Sequence, residues 1–170
     1  QARLDVQHDS RPRRTRFRNL AEGQRCLEGR RRRHLDHPAI DPALGLIYFG
    51  TSNPGGDFNG SIREGNNLYA NSVLALDVKT GKYRWHYQTV HHDLWDYSLA
   101  SPPILYDLDL NGTRRHAIAQ AGKTGFVYIL DRVTGKPLLG IEEKPVPQEP
   151  RQKTAATQPY PIGDAFVQIG

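Results

Sequence analysis

A thirteen-residue pattern that occurs twice constrains the fold of this chain most strongly. Residues 73–85 read VLALDVKTGKYRW and residues 127–139 read VYILDRVTGKPLL, so Asp77 and Asp131 align at a separation of 54 residues. Each copy has a strand-like apolar run, an aspartate, two further residues, Thr-Gly-Lys and a second strand-like run. The aspartate and threonine side chains can hydrogen-bond within a tight turn, and glycine accepts the positive φ that such a turn needs. The pattern therefore predicts two strand–turn–strand units.

The spacing of the two copies bears on the fold class. A four-stranded unit that recurs about every 50 residues has the period of a β-propeller blade. The segments around both copies read as further short strands, and none has a long helical period. From spacing and turns alone, a partial β-propeller and some other all-β sheet protein both remain open.

Strands are predicted throughout the chain after Pro38. They are expected at 46–50, 71–77, 82–87, 104–107, 116–120, 126–130 and 137–139. Turns are predicted at Asp41-Pro42, Asn111-Gly112 and Thr134-Gly135. The segment 143–162 is rich in proline and glutamine, and we predict a long loop there.

The charge of the chain is unevenly distributed. Residues 1–37 contain eleven arginines, no lysine and five acidic residues, whereas residues 38–170 contain twelve basic and thirteen acidic residues. We interpret residues 1–37 as a basic segment that is disordered or out of frame, and residues 38–170 as the propeller domain. The second part is nearly neutral, so its field gives no reason to expect nucleic-acid binding. A nucleic-acid role would depend wholly on residues 1–37.

The first copy carries a resemblance to a known family. The run ALDVKTGKYRW, residues 75–85, resembles the tryptophan-docking motif A-x-D-x-x-T-G-x-x-x-W of the quinoprotein dehydrogenases. The resemblance runs from about Pro38 to the end of the chain and includes PAIDPALGLIYFGTSNP, YQTVHHDLWDY, AGKTGFVYILDRVTGK and TQPYP. Those enzymes use pyrroloquinoline quinone (PQQ) and calcium inside an eight-bladed propeller. The resemblance implies an all-β chain that forms about two to three blades of such a propeller.

The resemblance also implies roles for four residues. Asp96 in HHDLWD corresponds to the catalytic base, and Asn53 in TSNP corresponds to a calcium ligand. Lys123 in AGKTG corresponds to the cation beside the quinone oxygens, and Trp95 is placed with it among the cofactor-binding residues. The residue types suit these roles, because a carboxylate is ionised at neutral pH, an amide oxygen is a hard ligand, and a cation stabilises negative charge on oxygen. Without the resemblance, Asp96, Asn53 and Lys123 read as ordinary turn or solvated residues.

The remaining polar residues of the HHDLWDY segment read differently. His91 and His92 are adjacent, and adjacent residues of an extended chain face opposite sides, so we favour packing or hydrogen bonding over metal ligation. Asp93 is interpreted as a structural acceptor rather than a second base. Trp85, the last residue of the docking motif, is interpreted as packing between blades, and Leu139 stands at its place in the second copy.

The first part of the chain departs from the family pattern. The family has a W-K-x-G-G-G-x-x-W segment whose last tryptophan forms the floor under PQQ. Leu35 occupies that place here, eighteen residues before Asn53, and leucine offers no flat π-face. If CLEGRRRRHLDH is read through plausible codons and the frame is moved by one base, the result is roughly WKAGGGATWTT, a string of the family type. We hypothesise that this part is out of frame; a genuine basic tail is the alternative, and resequencing the source DNA decides between them.

The function implied by the resemblance is that of a fragment of a PQQ- and calcium-dependent dehydrogenase. Its substrates are expected to be alcohols or sugars and polyols, because some motifs resemble the glucose and polyol branch and others the alcohol branch. Cytochrome c or a quinone would accept the electrons, and the periplasm is the expected location, with membrane association left open. The isolated chain is expected to be inactive, because missing blades leave sheet edges open. The alternative is a non-catalytic propeller scaffold for protein assembly.

Overall fold

The computed structural model describes residues 37–163, and residues 1–36 and 164–170 lie outside the described range. The described part contains nine β-strands, one short 3-10 helix and no α-helix. The strands are β1 (Ala39–Asp41), β2 (Leu46–Gly50), β3 (Ser72–Asp77), β4 (Tyr83–Gln88), β5 (Ile104–Leu110), β6 (Thr113–Ala121), β7 (Val127–Asp131), β8 (Ile141–Pro145) and β9 (Thr157–Pro161). The 3-10 helix covers Pro150–Gln152. The all-β prediction is therefore confirmed.

The first sheet contains β1 to β4 in chain order, and every neighbouring pair is antiparallel. Its last hairpin is closed by the first copy of the repeated turn. Asp77 Oδ1 accepts from the amide and the hydroxyl of Thr80, each at 2.8 Å, and the Gly81 N–H donates to the Asp77 carbonyl at 2.8 Å. Gly81 has a φ of 66°. The predicted hydrogen-bonded turn is confirmed.

The second sheet contains β5, β6 and β7, and its hairpin at Asn111-Gly112 is as predicted. The turn after β7 repeats the first one, since Asp131 Oδ1 accepts from the Thr134 amide at 2.9 Å and from its hydroxyl at 3.1 Å. The strand predicted at 137–139 is wrong. Only an isolated bridge joins Leu130 to Pro137. The amides of Asp131 and Leu138 flank it and donate to the carbonyls of Lys136 and Ile129, but the pairing extends no further.

The prediction of a long loop at 143–162 is also wrong, because β8 and β9 form an antiparallel hairpin there. Pro145, Pro159 and Pro161 all lie in its pairs. The amides of Val146 and Ile162 donate to carbonyls across the hairpin, so the hydrogen-bonded positions alternate with the proline positions. The prolines therefore occupy places where no ladder N–H is required, which is how a strand tolerates them.

The core lies between the first and second sheets. Its buried side chains are Leu46, Tyr48, Val73, Ala75, Trp85, Leu99, Ile118, Tyr128 and Leu130. Trp85 is 6% exposed, and its Nε1 donates to the carbonyl of Arg132 at 3.1 Å, in the repeated turn of the other sheet. The Tyr48 hydroxyl donates to the same carbonyl at 2.9 Å. The Arg132 side chain forms an ion pair with the buried carboxylate of Asp41, at 2.8 Å. Trp85 thus packs between the two sheets, as interpreted from the sequence.

The three sheets amount to one complete four-stranded blade, a second blade with a reduced fourth strand, and a hairpin. This matches the prediction of two to three blades of a propeller. Leu139, which stands at the place of Trp85 in the second copy, is 38% exposed. No helix among residues 37–163 has the length and apolar content needed to cross a membrane.

Candidate active site

Three loops at one end of the two sheets carry the residues that the sequence singled out. In antiparallel sheets whose strands follow each other in order, the connections after β2, β4 and β6 all leave from the same end. Asn53 follows β2, Asp96 lies in the segment between β4 and β5, and Lys123 follows β6. The topology therefore explains how residues far apart in sequence meet.

Asp96 and Lys123 are in direct contact. The ammonium group donates to Asp96 Oδ2 at 2.9 Å, and the two side chains are 42% and 43% exposed. The Lys123 hydrogen bond, and then the hydrogen bond from Ser98, hold the pKa of the Asp96 carboxyl below its ordinary value. Asp96 has a φ of 59°, a region that aspartate adopts more readily than most residues because its short side chain hydrogen-bonds locally. The result is an ionised, solvent-accessible carboxylate beside a cation.

The orientation of the Asn53 amide is fixed by its neighbours. Its Nδ2 donates to the carboxylate of Asp57, which can only accept, and to the carbonyl of Pro54 at 3.2 Å. The amide oxygen Oδ1 therefore faces the other way, where it lies 3.1 Å from the hydroxyl of Ser98. Asp57 thus aims a carbonyl oxygen, which is a hard ligand, toward the Asp96 side of the site.

Ser98 joins the two sides of the site. Its Oγ lies 2.7 Å from Asp96 Oδ1 and 3.1 Å from Asn53 Oδ1, and the Asn53 N–H donates to it at 3.1 Å. Ser98 is 6% exposed. Neither Ser98 nor Asp57 was singled out from the sequence. The only sequence signal is that each lies within four residues of a selected residue, Ser98 after Asp96 and Asp57 after Asn53.

The other polar residues of the HHDLWDY segment hold it in place. Asp93 is buried, and its carboxylate accepts from the amides of Trp95 and Tyr97 and from the Asn71 side chain. His92 is also buried, and its two ring nitrogens lie 2.6 and 2.9 Å from backbone carbonyl oxygens. His91 lies within hydrogen-bond distance of the Gln88 and Glu143 side chains. These contacts agree with structural roles for Asp93 and both histidines.

Trp95 lies at the surface next to Asp96. Its side chain is 63% exposed, and its ring packs edge to face against Phe58 with 6.0 Å between centroids. The Phe58 N–H also donates to the Leu94 carbonyl at 2.8 Å, so this pair joins the Asn53 loop to the Asp96 segment. The exposed indole offers an apolar face, as a cofactor-binding residue requires.

A cleft of about 670 Å³ lies nearby but is not centred on these residues. Trp95 and Tyr97 line it, whereas Asp96, Asn53 and Lys123 do not. Two of its polar side chains, Gln152 and Gln158, are already engaged in hydrogen bonds to the chain. The Asp96, Asn53 and Lys123 side chains therefore lie beside this cleft and not within its lining.

The donors at the cluster suit a calcium-type cation in part. Asn53 Oδ1 and Asp96 Oδ1 are both oxygen atoms, which such a cation prefers, but calcium takes about six to eight ligands. Within residues 37–163, no three histidine, cysteine, aspartate or glutamate side chains are grouped to hold a metal ion. The described residues can thus supply one side of a coordination sphere. The ammonium of Lys123 and the indole of Trp95 are exposed enough to reach a planar anionic cofactor.

Comparison with protein families shows what this chain is similar to. Residues 36–169 match the family described as "Glucose/ethanol/alcohol dehydrogenase, beta-propeller domain", a PQQ family. The glycerol dehydrogenase large subunit of Gluconobacter oxydans is 41% identical over 128 residues, which are 72% of this chain and 17% of that protein. The quinoprotein glucose dehydrogenase of Escherichia coli is 39% identical over 128 residues, 74% of this chain and 16% of that protein.

Solved structures show the same relationship. The quinohemoprotein alcohol dehydrogenase of Comamonas testosteroni superposes with a TM-score of 0.58 at 35% identity, over 75% of this chain and 19% of that one. A europium-containing methanol dehydrogenase superposes with a TM-score of 0.58 at 35% identity, over 74% of this chain and 22% of that one. The chain therefore spans about a fifth of the length of the relatives that it matches.

Proposed function

Because the chain belongs to the family of PQQ-dependent dehydrogenase β-propellers, we propose that it is part of an enzyme that oxidises alcohols, or sugars and polyols, with PQQ and calcium. The observation that carries the proposal is the meeting of Asp96, Asn53 and Lys123 in one cluster, with Ser98 between the first two. A scaffold that used only the repeated turn would need none of these contacts. Relatives named for glycerol, glucose and alcohols support the substrate class.

Asp96 is proposed as the base that accepts the proton of the substrate hydroxyl. A base must be ionised, and the hydrogen bonds from Lys123 and Ser98 favour the ionised carboxylate. Its exposure allows a substrate hydroxyl to approach. General-base catalysis of this kind contributes typically about 100-fold to 10,000-fold to a rate.

Asn53 and Lys123 are proposed to hold the cation and the cofactor. Asn53 Oδ1, aimed by Asp57, would ligate calcium together with an oxygen of Asp96. Lys123 would place its positive charge beside the quinone oxygens, and Trp95 would contact the cofactor with its exposed indole. When bound, the cofactor would supply the hydride acceptor, and calcium would supply Lewis-acid chemistry.

The wider setting of the reaction follows from the family and is proposed on that basis alone. Electrons would pass to cytochrome c or a quinone, and the periplasm is the proposed location. The isolated chain is proposed to be inactive, because missing blades would leave sheet edges open and blade faces exposed. Dye reduction by an alcohol with the 170-residue chain, PQQ and calcium would contradict that statement.

The experiment that tests the base uses a chimera. Residues 37–163 replace the matching segment of the quinohemoprotein alcohol dehydrogenase of Comamonas testosteroni, and dye reduction by an alcohol is measured with PQQ and calcium. The Asp96→Asn change should lower kcat by at least about 100-fold. The matched control is Asp109→Asn, an exposed aspartate on β5, which should leave kcat unchanged. Full activity in the Asp96→Asn chimera would exclude the proposed base.

A further inference from the structure

The hydroxyl of Ser98 occupies a position that connects the two chemical halves of the cluster. It lies 2.7 Å from an oxygen of Asp96 and 3.1 Å from the amide oxygen of Asn53. These two residues are 43 positions apart in the chain, and no direct hydrogen bond joins their side chains within residues 37–163. Ser98 is therefore the group through which their side chains are linked.

The hydroxyl is itself held in place. Ser98 is 6% exposed, and its Oγ accepts the backbone N–H of Asn53 at 3.1 Å. The amide of the next residue, Leu99, donates to the Thr51 carbonyl, so the segment is also pinned to the end of β2. The Oγ atom is thus fixed by the backbone of the Asn53 loop.

A serine hydroxyl has one proton, and here it has two acceptors. While the amide oxygen of Asn53 is free, the proton can go to either acceptor. A cation on that amide oxygen would repel the hydroxyl proton, which then has only the Asp96 carboxylate to donate to. Hydrogen bonds to a charged acceptor are the stronger ones.

We propose that Ser98 is a positioning residue that couples the cation ligand Asn53 to the base Asp96. When a cation occupies Asn53, the hydroxyl donates to Asp96 and fixes the orientation of its carboxylate. This inference rests on the proposed function, because it takes Asn53 as a ligand and Asp96 as the base. It assigns no direct contact between Ser98 and the substrate.

The test measures cation binding by the 170-residue chain without any turnover. Tb³⁺, which like Ca²⁺ binds hard oxygen ligands, is titrated and its luminescence is excited through tryptophan. The variants are Ser98→Ala, Ser98→Thr, which keeps a hydroxyl, and Asn53→Ala. Ser101→Ala is the matched control, an exposed serine three residues along the same segment. The Trp85 indole N–H resonance, from the group that donates to Arg132, reports whether each variant is folded.

We expect Ser98→Ala to weaken Tb³⁺ binding about tenfold, the change that corresponds to about 1.4 kcal/mol. Ser98→Thr should stay within about twofold of the native chain, on the same scale, and Ser101→Ala should be unchanged. Native affinity in Ser98→Ala, with weakened binding in Asn53→Ala, would overturn the role of Ser98 while leaving the proposed site intact. Loss of the folded indole resonance in Ser98→Ala would also count against the inference, because it would show that Ser98 has a merely structural role.

Two further outcomes separate this inference from the proposed function. If a folded native chain binds Tb³⁺ no better than Asn53→Ala, the cation site fails and the inference fails with it. If the isolated native chain lacks the folded resonance, the same variants are measured in the Comamonas chimera by calcium calorimetry. There Ser98→Ala should weaken calcium binding about tenfold and lower kcat more than it raises KM, whereas Ser98→Thr should restore both. Failure of Ser98→Thr to restore either would overturn the inference.

Discussion

The contact between Gly135 and Trp85 gives a quantitative test of the packing between sheets. Gly135 and Gly81 occupy the same place in the two repeated turns, with φ of 75° and 66°. A Cβ atom on Gly81 would meet nothing within 4 Å, but on Gly135 it would lie 2.5 Å from Trp85 Cε3 and 2.7 Å from Cδ2. The two positions therefore differ in one respect, the neighbouring indole.

Gly81→Ala and Gly135→Ala should both destabilise the fold, but by different amounts. A left-handed backbone costs an alanine about 1–2 kcal/mol, and this applies to both Gly81→Ala and Gly135→Ala. At Gly135 the new methyl also falls well inside the usual carbon–carbon contact of about 3.5–4.0 Å, so the indole of Trp85 must shift. Overpacking of this kind costs about 1–3 kcal/mol more. We therefore expect Gly135→Ala to lower the free energy of unfolding by about 1–3 kcal/mol more than Gly81→Ala does.

The assay is urea unfolding of the 170-residue chain, followed by far-ultraviolet circular dichroism in sucrose, which favours the compact state. Both glycine variants are made in the native chain and in a Trp85→Leu background. Without the indole, Gly81→Ala and Gly135→Ala should lower the free energy of unfolding by amounts that agree to within about 0.5 kcal/mol, the usual limit of additivity. Equal costs in the native chain, or an unchanged gap in the Trp85→Leu background, would refute the packing argument.

Two predictions concern charged residues. Lys123→Met should raise the pKa of Asp96, because the Lys123 hydrogen bond is the main cause of its lowering. The acid limb of the pH profile of kcat/KM in the chimera should therefore move to higher pH, whereas the control Lys136→Met should leave that limb in place. An unmoved acid limb in Lys123→Met would contradict the contact between Lys123 and Asp96. Asp107 has its pKa lowered from 3.8 by a hydrogen bond from His116 and then by one from Arg114. The stability that the Asp107 carboxylate contributes is present above its pKa in the unfolded chain and is lost as the pH falls through its pKa in the folded chain. The difference in urea midpoint between the native chain and Asp107→Asn should therefore become smaller in acid. A difference that stays constant with pH would contradict this role of Asp107.

The features that the sequence predicted correctly are local. The turns at Asp77 and Asp131 are determined by a side chain, a hydroxyl and a glycine within five residues, so a single segment contains all the information. The same holds for the Asn111-Gly112 hairpin. The family motifs singled out Asn53, Asp96 and Lys123, and the antiparallel order of the strands brings their loops to one end. The roles of these three residues stay predictions.

The errors arose where pairing depends on a partner that the local sequence does not show. Proline in 143–162 suggested a loop, but a two-stranded hairpin needs an N–H only at alternate positions, and the prolines occupy the others. Ser98 and Asp57 were missed for a similar reason. A serine is common in any loop, and its importance appears only when folding brings it to Asn53, 45 residues away. Leu35 and the out-of-frame hypothesis for residues 1–37 concern residues outside the described range, apart from His37.

The most direct test of the account is a crystal structure of the Comamonas chimera with PQQ and calcium bound. The account predicts calcium about 2.3–2.6 Å from Asn53 Oδ1, an Asp96 oxygen beside the cation, and Lys123 Nζ within hydrogen-bond distance of a quinone oxygen. A structure in which Asn53, Asp96 and Lys123 face separate surfaces, with the cation and quinone bound elsewhere, would contradict it.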